Sequence, residues 1–120
     1  MRQDEEREQI VVMRWAELAS GKYPALRRLH HIPNGGQRSK ATAARLRAAG
    51  VKSGVPDLCL PCARGGYHGL YIELKVGKNR PTANQADWLD YLRHAGYRAE
   101  VCWGADEAIG VLTEYLEGRG

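Results

Sequence analysis

Two short apolar runs joined by a glycine turn constrain this chain more than any other stretch: Leu58-Cys59-Leu60 and Leu70-Tyr71-Ile72-Glu73-Leu74-Lys75. Pro56 sits just ahead of the first run, where it removes no central ladder bond. Ala63-Arg64-Gly65-Gly66 between them carries turn chemistry, so Gly54 to Lys75 reads as a β-hairpin. Side chains at i and i+2 share a face, which puts Glu73 and Lys75 on one side and Ile72 and Leu74 on the other. An antiparallel partner strand opening at Asp57 brings that carboxylate to the sheet end that carries Glu73 and Lys75. Two carboxylates of this kind suit Mg²⁺, which takes few protein ligands and keeps waters and phosphate oxygens. Lys75 is then placed to hold or deprotonate an attacking water, or to offset charge on phosphorus. This is the outline of a phosphodiesterase site.

The remainder of the chain has room for one modest core. Its 120 residues fit a single domain, 1–120. Apolar content of 43% and charged content of 27% are ordinary for a globular protein. Net charge is +4, which favours a polyanionic partner. No apolar run approaches a membrane span and the first residues hold no signal-peptide core, so a cytoplasmic protein is expected.

Gln3 to Ala19 reads as a helix stopped by Gly21, with an apolar stripe of Ile10, Val12, Met13, Ala16 and Glu17 or Leu18. Its acidic first turn suits the helix dipole. Leu26 to Ile32 is a strand candidate with broken alternation, basic through Arg27, Arg28, His30 and His31, either His being a candidate DNA contact. It ends at the Pro33-Asn34-Gly35-Gly36 turn, whose backbone amides could approach a phosphate. Ser39 is the expected N-cap of a helix over Lys40 to Ala49. Arg38, Lys40, Arg45, Arg47 and Lys52 make this region positive and are candidate DNA contacts. Lys78 and Arg80, in the loop after the hairpin, are two more. A third helix is expected over Thr82 to Ala95, with Ala86, Leu89, Leu92 and Arg93, flanked by Trp88, Tyr91 and Ala95, as its buried side. A last strand over Tyr97 to Trp103 and a closing helix over Asp106 to Glu117 follow. The order α-β-α-β-β-α-β-α predicts an α/β fold, a mixed sheet flanked by helices, with a right-handed crossover between parallel strands at the C-terminal end.

The pattern Pro56-Asp57 … Glu73-Leu74-Lys75 resembles the PD-(D/E)xK nuclease signature. With Ile32 to Gly36, Gly54 to Asp57, Gly69 to Lys75, Gln85 to Leu89 and Gly96 to Val101 in order, the chain is similar to the VRR-NUC (virus-type replication-repair nuclease) family. The resemblance implies a restriction-endonuclease-like core and an endonuclease using Mg²⁺, with Mn²⁺ a possible substitute. It implies that Asp57, Glu73 and the Leu74 carbonyl hold the metal, completed by a first-helix glutamate. Glu5, four residues before Gln9, fits that position, with Glu6 and Glu8 as competitors. Gln85 matches a recurrent glutamine beside the active site. Branched DNA such as flaps or Holliday-type junctions, a homodimer, a phage or bacterial setting and no small-molecule cofactor are further implications.

Against this stands a binding module that keeps the fold and does not cut, although every acidic and lysine position is filled. Cys59-Leu60-Pro61-Cys62 spells C-x-x-C, but it lies in a strand and leads into a turn, so packing is expected there instead of redox or zinc chemistry.

Overall fold

The computed structural model describes residues 3–33 and 39–118. The expected Asn34-Gly35-Gly36 turn and Arg38 lie outside the described residues. Helix α1 spans Gln3–Ala19, a 3₁₀ turn Pro24–Arg28, β1 His30–His31, α2 Lys40–Ala48 and β2 Leu58–Leu60. After these come β3 Leu70–Lys75, α3 Ala83–His94, β4 Arg98–Trp103 and α4 Ala105–Leu116. The four strands form one sheet in the order β1-β2-β3-β4. The first two pairings are antiparallel, and β3 runs parallel to β4 through the α3 crossover. The expected mixed sheet flanked by helices is therefore present.

Both faces of the sheet are covered. Leu58, Leu60, Leu70, Ile72 and Leu74 pack with Val12 and Ala16 of α1 and with Leu112 of α4. On the other face Ala99 packs with Leu89 and Leu92 of α3, closed over by Tyr71, Trp88, Tyr97 and Val101. Strand β3 runs through the middle, with every residue buried except the half-buried Tyr71. At the hairpin tip Arg64 and Tyr67 exchange both backbone hydrogen bonds, 3.1 and 2.8 Å, around Gly65-Gly66.

Three expectations are corrected. The Leu26 to Ile32 segment begins as the end of a 3₁₀ turn, opened by Pro24, and only His30–His31 joins the sheet. Its apolar residues recur at three, and Leu26 and Leu29 are both buried, matching a helix of three residues per turn. On α1 the buried stripe is Glu5, Val12 and Ala16, while Ile10 is half out and Leu18 is 88% exposed. Ile10 to Met13 is apolar in every direction around the helix, so pattern alone does not select the inward side. On α3 only Leu89 and Leu92 are buried, and Ala86, Tyr91, Arg93 and Ala95 are exposed. The Arg93 guanidinium instead reaches back to the Ala99 carbonyl at 3.0 and 2.8 Å.

Two helices carry side-chain caps, and α3 is tied to the loop that leads into the site. Ser39 caps α2 by accepting from the Thr42 amide at 3.1 Å. Thr82 and Gln85 form a reciprocal capping box at the start of α3. Within the first turn, Asn84 donates to the Ser53 carbonyl at 2.9 Å, tying α3 to the loop that leads into Asp57. Gly54 sits in that loop at φ +90°, and a Cβ there would lie 3.0 Å from the Asn84 backbone, so a larger residue would spread the junction.

Candidate active site

Asp57 immediately precedes β2, and the register Leu58↔Ile72 sets it across from Glu73. Its Oδ2 accepts a hydrogen bond from the Leu74 amide at 2.7 Å. Two residues along the same face, the Lys75 Nζ lies 3.5 Å from Glu73 Oε2. Asp57, Glu73 and Lys75 are respectively 4%, 1% and 7% exposed, so three ionisable groups share a nearly dry sheet end. Their convergence is the arrangement that the hairpin reading anticipates.

The electrostatics are those of a cluster short of positive charge. Burial, then the neighbouring Asp57, pushes the Glu73 carboxyl up to about 8, with Lys75 opposing. Asp57 is also raised, chiefly by burial and further by Glu5, while the Leu74 amide and His31 pull the other way. Glu73 Oε1 is buried and makes no hydrogen bond among the described residues. A buried carboxylate oxygen without a donor is costly, and a hard cation is what such an oxygen accepts.

The first helix supplies one carboxylate to this neighbourhood. Glu5 is 7% exposed and acts electrostatically on Asp57. Glu6 is exposed. Glu8 is committed elsewhere: its Oε1 accepts from the Ala105 amide at 2.8 Å, capping α4. Among the described residues no three His, Cys, Asp or Glu side chains group as a ready metal cage. Asp57 and Glu73 are thus the pair that could hold a metal, and a pair with added waters fits Mg²⁺.

The structure does not bring Gln85 to these groups through any described hydrogen bond. Its Oε1 accepts from the Thr82 amide at 2.9 Å, within the capping box. Lys40, Arg45 and Lys52 are exposed on and after α2, and Lys78 and Arg80 are exposed in the loop after β3. That loop is fixed where Trp103 Nε1 donates to the Asn79 carbonyl at 2.8 Å. Cys59, Cys62 and Cys102 are free thiols, and Cys59 and Cys102 are buried, as packing residues are.

The contact of His31 with Asp57 has no sequence signal, whereas Gln9 accompanies Glu5 at the spacing noted in the sequence. His31 donates from Nδ1 to the Asp57 carbonyl at 2.9 Å while its ring stays exposed. Only the pairing of β1 with β2 puts it there. Gln9 lies one turn beyond Glu5, and its Oε1 is the other buried oxygen without a hydrogen bond among the described residues.

The VRR-NUC domain family matches residues 3–106. A solved structure described as a VRR_NUC domain protein shares 37% identity and a TM-score of 0.80, covering 94% of this chain and 88% of that one. No curated protein matches the chain. With a family match running from α1 into α4, and the Asp57, Glu73 and Lys75 constellation at one sheet end, the chain belongs to the VRR-NUC family, nuclease domains of the PD-(D/E)xK type.

Proposed function

We propose that this protein is a divalent-metal-dependent endodeoxyribonuclease acting on branched DNA, a flap or a four-way junction, in phage or bacterial replication and repair. The observation that carries the reading is the buried Asp57–Glu73 pair, with an unsatisfied Glu73 oxygen and the Lys75 ammonium 3.5 Å from its partner oxygen. Asp57, Glu73 and the Leu74 carbonyl would hold Mg²⁺ or Mn²⁺, with Glu5, whose charge Asp57 feels, adding negative charge to the site. When bound, the metal supplies positive charge to the phosphate oxygens and lowers the pKa of a water. Lys75 holds the attacking water or offsets charge on the phosphoryl group, and the dry pocket strengthens that interaction. The Leu74 amide keeps Asp57 in one orientation throughout. The proposed state is a homodimer, which would present two sites to two strands.

The test is cleavage of labelled linear, flapped and four-way-junction DNA with Mg²⁺, Mn²⁺ or EDTA, alongside folded Asp57→Ala and Lys75→Ala variants. Metal-dependent cutting that both variants lose establishes the activity and ranks the substrates. Binding without cutting under either metal would replace it with the non-cleaving module. Sedimentation showing only monomers, with and without DNA, would remove the two-strand version.

A further inference from the structure

Helix α2 is out of keeping with the rest of the fold. It buries none of its nine residues. It also packs extensively against no other described element. A helix this short is marginal alone in water, and tertiary packing normally supplies what propensity does not. Its dipole is also badly matched at the start, where the first turn carries Lys40 and no acid.

Its surface is organised all the same. Thr42, Ala43 and Leu46 are half-buried and turn toward the body. Ala41, Ala44 and Ala48 are exposed and share the opposite face by helical spacing. Lys40 and Arg47, seven residues apart, border that alanine strip on one side, and Arg45 borders it on the other. Between Glu17 and Asp57 the sequence carries eight Lys or Arg and no Asp or Glu, against a net charge of +4 for the whole chain. From the end of α2 the chain runs directly to Ser53, pinned by Asn84, and on to Asp57.

We propose that α2 is a duplex-docking arm that lays its alanine strip into the major groove of B-form DNA beside the cut site, with Lys40 and Arg47 on one phosphate wall and Arg45 on the other. A groove about 12 Å wide admits a helix, and small residues let this one approach closely. Single strands have no such groove, and A-form RNA has one too deep and narrow to enter. A second copy of the chain fits less well, because a two-fold pairing of this face would set cations against cations. The inference rests on the nuclease reading and deepens it by making a duplex DNA arm part of the substrate.

The experiment is amide hydrogen exchange across residues 40–48 of the wild-type protein in EDTA, with a 20-base-pair DNA duplex, the matching single strand, or an RNA duplex. Binding of the DNA duplex is titrated with salt in parallel. Two variants with wild-type melting curves accompany it, Ala44→Glu and the double change Lys40→Gln/Arg47→Gln. Protection of α2 by the DNA duplex alone is expected. Ala44→Glu should weaken duplex binding roughly tenfold or more. The double variant should flatten the salt slope by about 1.8, two phosphate contacts' worth. Unchanged affinity and slope in both variants, with metal-dependent cutting intact, would overturn the docking arm and leave the nuclease standing. Protection that follows protein concentration without DNA would overturn it in favour of a second copy. A wild type that neither binds nor cuts DNA would sink both readings.

Discussion

The Asp57 carboxylate and the Leu74 amide are joined by a 2.7 Å hydrogen bond across 17 positions of sequence. That bond holds Asp57 against the strand that carries Glu73 and Lys75, and fixes the spacing of the acidic pair through the backbone. An asparagine at 57 could still accept from the same amide while carrying no charge. Asp57→Asn should therefore fold, lower cutting by roughly 10²–10³-fold, and melt higher without metal. The gain is about 1 kcal/mol or more, because the buried charge at 57, beside the Glu73 carboxyl, is gone. Calorimetry and cleavage on one preparation check both halves, and a lower melting point would mean that the ionised carboxylate stabilises the fold.

The raised Glu73 carboxyl makes metal-free stability depend on pH. In the unfolded chain it ionises near 4.5, whereas in the folded protein it keeps its proton to about 8. Between those values the unfolded state binds fewer protons, so stability falls as pH rises through the window. Melting in EDTA from pH 5 to 8 should show a loss of up to about 4 kcal/mol from this group. Mg²⁺ should restore stability most at pH 8, where it meets the ionised pair. A flat EDTA profile would deny the charge-starved cluster.

Glu5 and Glu8 lie on the same helix and should fail in opposite ways. Glu8→Ala removes the cap on the Ala105 amide and should cost about 1 kcal/mol of stability with cutting retained. Glu5→Gln leaves that cap in place and should reduce metal affinity or cutting roughly 10-fold. Equal losses of cutting in the two variants would show that α4 capping, and not Glu5, is what the site feels.

Gly96 closes α3 at φ +98°, and a Cβ there would lie 2.6 Å from the His68 ring. Gly96→Ala should destabilise by roughly 2 kcal/mol, through the left-handed backbone and the displaced ring. A thermal melt reads this directly, and a shift under one degree would mean that His68 swings away freely.

Much of this arrangement is legible in the sequence because its signals are local. The Ser39 cap, the glycine turn and the two-residue alternation of Glu73 and Lys75 each act within a few positions. The Asp57 pairing follows once the hairpin is read, since Asp57 opens one strand and Glu73 and Lys75 end the antiparallel other. What stayed hidden depends on tertiary choice. Which side of α1 faces inward was open because Ile10 to Met13 is apolar all round, and that choice decides whether Glu5 or the exposed Glu6 turns inward. His31 reaches the Asp57 carbonyl only through a two-residue strand too short to show a pattern. The isolation of α2 has no sequence mark at all, because an alanine-rich helix reads the same whether or not it is packed.

Strand β3, which carries Glu73 and Lys75, is also buried along its length and bonded on both sides. The chemical groups thus ride on the part of the molecule that opens last. Local fraying at the termini or around α2 leaves them untouched, and their amides should exchange with solvent only by global opening. Loss of activity in denaturant should then coincide with loss of the fold, in one transition with one midpoint.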